Sequence, residues 1–464
     1  MDLQAWALGG VVLAVSYLWW WWLNFSRCEG DAEKPVIRLD DIANPQYRAI
    51  WVLANYVGDL LGLWPMYSVD EFVEEAKRRS GLSDLGDESE FPFREGLTVL
   101  LESCNDPNTH MTALGRLRFH ELVVQLLVNR LRIQEKISKH PEILSETVEK
   151  PIFIAGLPRS GTTHLYWILA NHDKLRSCKF FEMVEPVMKF DFLGWLLWDV
   201  FGYDYRLTRG TYGYWFSQNL RPDYQAIHDS GPDRPEEDMM LTAITFQCII
   251  FSVFLSSEKY LNWYKTKEPM MPTKYLKRVL QVLQWQDRQL GLPQKRWLLK
   301  SIDHIQHIEA LREVFPDATI VQTHREPVTV VTSAITLVTY GCGMSCTPID
   351  LKKMGTLWAS FIETMLRDFV NSQKNHKTGK VCNVLFNDFV ADNIKEVERV
   401  LEIADVDFDG KNRKKMELFS CAHQQYRRGK VMYNLARFGL DKHDLEKKLR
   451  FYATHFGVAD RVSN

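Results

Sequence analysis

The stretch Pro151–Tyr166, PIFIAGLPRSGTTHLY, constrains the fold more than any other part of the chain. Ile152-Phe153-Ile154-Ala155 is a short apolar run and reads as a buried strand. It breaks into Gly156-Leu157-Pro158-Arg159-Ser160-Gly161-Thr162-Thr163, and helical character follows from His164 to Asn171. Strand, glycine loop and helix in this order aim backbone N–H groups and a helix dipole at an anion, usually a phosphate. The spacing of Gly156 and Gly161 fits the opening of a nucleotide-triphosphate loop, G-x-x-x-x-G-K-[ST]. Thr162 stands where that loop has its lysine, and positive charge comes instead from Arg159. The stretch therefore reads as a phosphate cradle not built for hydrolysis of a magnesium nucleotide. Packing alone seldom calls for Arg, Ser, Gly, Thr and Thr in succession.

Three further strands are expected, each running into polar or charged residues. Trp297-Leu298-Leu299 leads to Lys300-Ser301, Thr319–Thr323 leads to His324-Arg325-Glu326-Pro327, and Val381–Phe386 leads to Asn387-Asp388. Helical segments separate them at Gln306–Val314, Val328–Val338 and Met354–Ser372. Alternating strands and helices predict an α/β fold, a P-loop-like parallel β-sheet flanked by helices. Ligands of such sheets sit beyond the carboxyl ends of the strands, where Arg159, Lys300, Arg325 and Asp388 all fall. That convergence predicts a shared site.

Ahead of the sheet, residues 40–150 read as a helical N-terminal region. Asp70–Arg79 runs from acidic to basic, in the sense the helix dipole favours, and Gly81–Pro92 is a polar loop. Gly115–Ile137 carries Leu117, Phe119, Leu122, Val123, Leu126, Leu127, Leu131 and Ile133, the pattern of an amphipathic helix with a wide buried face. Residues 3–25 carry no charged side chain, and Trp19–Trp22 suits a membrane–water interface, so this segment reads as a single transmembrane anchor. Arg27, Lys34 and Arg38 follow it, a bias that places the body of the chain in the cytosol. Residues 151–464 then form the remaining unit.

Composition excludes some alternatives. A net charge of -2 gives no general attraction to nucleic acid. Of eight cysteines only Cys342 and Cys346 lie close, without a matching His or Cys pair, so neither zinc nor a disulfide framework is expected. Lys179–Tyr214 is rich in aromatics, among them Phe180, Phe181, Phe190, Phe192, Trp195, Trp198, Phe201, Tyr203, Tyr205 and Tyr212. It reads equally as core or as the lining of an apolar acceptor pocket. In His228–Asp238, Asp233 reads as a helix N-cap with Pro235 in the first turn, which leaves Glu237 and Asp238 structural.

Four ordered motifs resemble the sulfotransferase family, in the broad group reading G-L-P-R-[ST]-G-T-T, H-x-x-G-x-D-x-P-E-E, L-K-S-P-x-H, and H-R-D-P with a serine eight residues after its arginine. Here they are Gly156–Thr163, His228–Glu237, Leu299–His304 and His324–Ser333, and the resemblance spans roughly residues 91–457. Ile302 stands in place of the family's proline, and Glu326 in place of the aspartate of H-R-D-P. The resemblance implies transfer of a sulfuryl group from 3'-phosphoadenylyl sulfate to a hydroxyl. It implies that Arg159, Ser160, Gly161, Thr162 and Thr163 hold the donor's 5'-phosphate. Arg325 and Ser333 hold the 3'-phosphate, joined by Arg428 with Lys430 beside it. The resemblance implies Glu182 as the acceptor's base, with His228 second and Glu236 third, while a buried ion pair with an arginine is an equal reading of Glu182.

The acceptor stays open between an apolar, lipid-like alcohol, a glycan and a peptide tyrosine, and membrane-bound relatives imply the Golgi lumen against the charge bias. Two other readings compete, a P-loop small-molecule kinase and a non-catalytic membrane-tethered binding protein on the same fold.

Overall fold

The computed structural model describes residues 36–38, 42–43, 45, 47, 49–64, 68–188, 192–221, 228–255, 257–373, 379–423 and 430–458. The expected anchor at residues 3–25 and the site candidate Arg428 lie outside this set. Among the described residues no helix is long and apolar enough to cross a membrane.

Among the described residues seven strands run in chain order: β1 (Val36–Arg38), β2 (Ile152–Ala155), β3 (Leu175–Arg176), β4 (Arg296–Ser301), β5 (Thr319–His324), β6 (Lys380–Leu385) and β7 (Lys430–Met432). The helices that matter below are α1 (Ala49–Leu60), α2 (Val69–Ser80), α3 (Ala113–Lys139), α4 (Thr162–Leu169), α5 (Phe180–Val184), α6 (Phe192–Phe201) and α7 (Arg206–Leu220). They continue with α8 (Met270–Gln289), α9 (Ile308–Val314), α10 (Pro327–Cys342), α11 (Leu351–Ser372), α12 (Phe386–Ala391) and α13 (Lys442–His455).

Strands β3-β4-β2-β5-β6 form a parallel sheet in that order, and β1 pairs with β7 in a separate ribbon. Each strand expected from the apolar runs is present to within two residues. Their near-continuous apolar character follows from cover on both faces. Side chains alternate between two cores, as a period of two requires. Ile152, Ile154, Leu298, Val321 and Val384 face α4 and the helices Asn393–Ile403 and Gly410–Ala422. Phe153, Ala155, Trp297, Leu299 and Ile320 face the larger core of α3, α8, α10, α11 and α13. That larger core also takes Phe72, Leu97, Phe119 and Leu127, so the helices within residues 69–139 share one core with the sheet.

Register places the site. β2 is central, with Ala155 level with Ser301 of β4 and Gln322 of β5. Whatever follows β2 must emerge between the carboxyl ends of β4 and β5. This is the position at which doubly wound sheets bind ligands.

His324 ends β5 in the core. Its Nδ1 and Nε2 lie 2.9 Å from Tyr452 Oη and Asn383 Oδ1, and its ring stacks on Phe456 at 3.8 Å. Burial pushes its pKa down to about 4, that of His164 down to about 4 and that of His307 down to about 3. In the unfolded chain these rings take a proton near pH ~6.5. Their contribution to stability is therefore complete above that pH and is lost as pH falls toward about 4. Asp303 acts in the opposite sense: burial raises its carboxyl to about 7, so its contribution fades as pH rises toward 7. Three groups oppose one. The expected outcome is a lower urea midpoint at pH 5 than at pH 7; an equal or higher midpoint at pH 5 contradicts the reading.

Candidate active site

The loop after β2 is held shut by close approach. A Cβ on Gly156 would lie 2.1 Å from Thr323 Oγ1, so no larger residue fits. Ser160 Oγ donates to the Leu157 carbonyl at 2.6 Å and lies 2.6 Å from the Thr323 hydroxyl. Arg159 has φ 70° and Gly161 φ 91°, two left-handed residues that turn the chain sharply into α4. Gly161 is the N-cap of α4, and no side chain caps the helix. The first-turn N–H groups and the positive end of the dipole face the space beyond the sheet.

Lys300 lines one side of that space. It is only 2% exposed, and its Nζ reaches Thr163 Oγ1 at 3.2 Å and forms an ion pair with Glu237. A buried ammonium needs a counter-ion, and Glu237 is held there by the chain itself. The Glu236 N–H donates to the Cys178 carbonyl at 3.0 Å, and the Asp238 N–H donates to the Lys300 carbonyl at 3.1 Å. Residues 236–238 thus thread across the end of β4. The expected N-cap at Asp233 is corrected accordingly. Asp233 pairs with Lys179 at 2.7 Å, Pro235 bridges to Lys179, and the helix starts only at Met239. Glu237 is an ion-pair partner at the site rather than the opening of a helix. Its Oε2 also accepts from the Ile302 N–H at 3.4 Å, a bond that a proline at 302 could not make. Asp238 lies 3.0 Å from His304 beneath the same strand end.

His228 Nε2 is 3.5 Å from Glu236 Oε2. Burial disfavours the imidazolium and Lys300 opposes it, yet the Glu236 carboxylate, with Glu237 behind it, holds the His228 pKa above its ordinary value. His228 and Glu236 are therefore a coupled acid–base pair close to the Lys300 charge.

Arg325 lines the other side of the loop. Its Nη1 donates to the Arg159 carbonyl at 2.8 Å, and its guanidinium lies 3.9 Å from the Phe386 ring centroid. Phe386 also backs the loop, since a Cβ on Gly161 would meet it at 3.3 Å. Glu326 caps α10, accepting from the Val328 and Thr329 N–H groups at 2.8 and 2.7 Å. A glutamate thereby does the capping that an aspartate does elsewhere. Ser333 is buried two turns into α10, and its hydroxyl has no hydrogen-bond partner among the described residues.

Two expected participants fall elsewhere. Asp388 is exposed on α12 with its charge felt at Arg399, and the aromatic Phe386 faces the loop in its place. Glu182 is buried in α5 and paired with Arg176 through two bonds of 2.8 and 2.5 Å. It also accepts from the Lys179 N–H at 2.9 Å and lies 3.9 Å from Arg206. Burial alone would raise its pKa, but these cations hold it at about 2. A carboxylate so engaged is a poor proton acceptor, and the contact with Arg176 is the buried ion pair weighed beside the base role. The aromatic stretch also divides, with Phe181 and Tyr214 in the core and Phe201, Tyr203 and Tyr212 exposed. Phe190, and the side chains of Phe192 and Trp195, lie outside the described residues.

Sequence reasoning missed Thr323, Phe386 and the pairing of Glu237 with Lys300. The two glutamates of the P-E-E triplet were the signal for that pairing, but nothing local said which cation would meet them.

No curated protein sequence matches the chain. Two solved structures resemble it over 84% of its length with a TM-score of 0.71. The sulfotransferase STF1 of Mycobacterium tuberculosis H37Rv is 22% identical and covered over 100% of its chain. The sulfotransferase STF9 of Mycobacterium avium is 24% identical and covered over 97%. At such identities the likeness concerns the fold. The family model described as the sulfotransferase family matches residues 151–410, more than half of the chain and the whole of the site around the loop. The chain belongs to the sulfotransferase family.

Proposed function

We propose that the chain transfers a sulfuryl group from 3'-phosphoadenylyl sulfate to the hydroxyl of an apolar, lipid-like acceptor. The observation that carries this reading is the buried Lys300 on Thr163 at the mouth of an uncapped helix, with Arg325 on the opposite side of the loop. Together they make a two-sided anion site. Bound there, the donor supplies the sulfuryl group, and adenosine 3',5'-bisphosphate is what remains of it.

The residues fit such a molecule. The α4 N-terminus, Arg159, Ser160, Gly161, Thr162 and Thr163 receive its 5' end, and Lys300 adds a buried charge where negative charge develops. Arg325, Ser333 and Arg428 receive the 3'-phosphate, and the unpartnered Ser333 hydroxyl is the polar atom that supports that half. As in phosphoryl transfer, position and electrostatics carry most of the catalysis. Thr162 at the lysine position of the nucleotide-triphosphate loop argues against a kinase.

His228 takes the proton of the acceptor hydroxyl, and the Glu236 carboxylate stabilises the resulting imidazolium. Glu182 keeps Arg176 and α5 in place. Residues 3–25 tether the chain to a membrane, which supplies a reason for an apolar acceptor.

Arg325→Ala is expected to weaken binding of adenosine 3',5'-bisphosphate roughly 10- to 100-fold, the loss of a charge-assisted hydrogen bond. Isothermal calorimetry checks it, and an unchanged Kd sinks the 3'-phosphate assignment. His228→Asn should lower kcat by about 10² to 10⁴ with bisphosphate affinity retained. Because Glu236 raises the His228 pKa, Glu236→Gln should move the acidic limb of the pH–rate profile to lower pH; a limb that stays put removes His228 as base. Glu182→Gln should cost about 3 kcal/mol in chemical denaturation by leaving Arg176 short of a partner. Full stability with abolished turnover would return Glu182 to the role of base.

A further inference from the structure

Helix α1 is built inside out. Its sequence AIWVLANYVGDL has one charged residue, and its apolar side chains point to solvent. Ile50, Leu53, Val57, Leu60 and Leu61 recur at the spacing of a single helical stripe, and Ile50 is 64%, Leu53 61% and Leu60 71% exposed. Flanking them, Val52 and Tyr56 are exposed as well. The side facing the protein is small and polar. A Cβ on Gly58 would lie 2.5 Å from Ala113 Cβ, Asn55 Oδ1 accepts from the Leu114 N–H at 2.9 Å, and Asp59 pairs with Arg116 at 2.5 Å. The polar contacts anchor the helix to α3, so its orientation is specified and the apolar stripe is fixed outward.

The stripe continues onto a second element. Trp51 meets Phe216 of α7 edge-on at 5.7 Å, and its Nε1 donates to the Asn219 carbonyl at 3.0 Å. Alongside, Tyr212 and Trp215 of α7 are exposed. Aliphatic residues on α1 bordered by Tyr and Trp match the division of a membrane interface, where aromatic rings with a polar edge sit at headgroup level. Contiguous exposed apolar residues rimmed by polar ones mark an interaction site.

We infer that the outward face of α1, with the neighbouring face of α7, docks on a lipid bilayer. The occupant follows from the chain that precedes it. Residues 3–25 are uncharged, and only residues 26–35 separate them from β1, which is paired in the folded body with β7. Those ten residues reach at most about 35 Å when extended. A tethered body is thus held next to the bilayer, and this apolar face is the surface suited to lie against it. The inference rests on the reading of residues 3–25 as a tether and is independent of the transfer chemistry. Tyr214 of α7 donates its hydroxyl to the Ser230 carbonyl at 2.9 Å, two residues from His228. The helix that carries part of the docking face thus contacts the chain two residues from the proposed base.

The test uses the full chain with Cys28 and Cys421 changed to Ser, reconstituted with phosphatidylcholine vesicles. An environment-sensitive NBD label is placed at Leu53→Cys, and in a separate sample at the exposed Lys414→Cys as control. A far-UV circular dichroism spectrum and a urea midpoint matching those of the unlabelled chain certify the fold of each variant. The expected result is flotation with the vesicles, a blue-shifted label at position 53 quenched at least about 2-fold by doxyl-labelled lipid, and an unquenched label at 414. Flotation with a water-exposed label at 53 overturns the docking face and leaves the tether standing. A blue-shifted label that lipid does not quench also overturns it, by showing that a second copy or the chain's own N-terminal segment covers the stripe. Absence of flotation overturns both tether and docking.

Discussion

A buried lysine organises the site. Lys300 lies near the carboxyl end of β4 with almost no access to water, between the first turn of the loop helix and the Glu237 carboxylate. An ammonium in that position is costly unless its charge is answered. Glu237 answers it from one side, and Thr163 brings it to the loop on the other. Backbone bonds from residues 236 and 238 to Cys178 and to Lys300 itself hold Glu237 in place. Strand end, acidic segment and loop are thus one electrostatic unit, whose open side presents N–H groups and a cation.

The same logic separates two glutamates near the site, Glu182 and Glu236. Glu182 has an arginine bonded to both of its oxygens and a backbone N–H as well. Its charged form is stabilised so far that it has little affinity for a proton. Glu236 faces an imidazole instead, and the two share a proton's worth of charge close to Lys300. Burial is common to both; what differs is whether the neighbour can itself exchange a proton.

Burial direction is also what gives α1 its meaning. The hydrophobic periodicity of Ala49–Leu60 is ordinary for an amphipathic helix, and such a pattern alone reads as a core-facing stripe. The opposite orientation follows from three contacts to α3 and its neighbours, at Asn55, Gly58 and Asp59. Periodicity identifies a face but not what the face meets.

Local chemistry is sufficient for part of this protein. The apolar runs at 152–155, 297–299 and 319–323 were legible as strands because both faces of a parallel strand are buried. The loop was legible because Gly156 and Gly161 have no local substitute. Arg325 could be placed near the loop by the rule that ligands gather beyond strand ends. What sequence could not supply was pairing across distance: Lys300 with Glu237, Arg176 with Glu182, Thr323 against Gly156, and α1 turned outward. These partners lie far apart along the chain, and their identity depends on strand order and on which groups are denied water. Residue type and spacing determined the elements and the kind of site, while only the tertiary structure decided which charges meet, because desolvation and close contact exist only once the chain has packed.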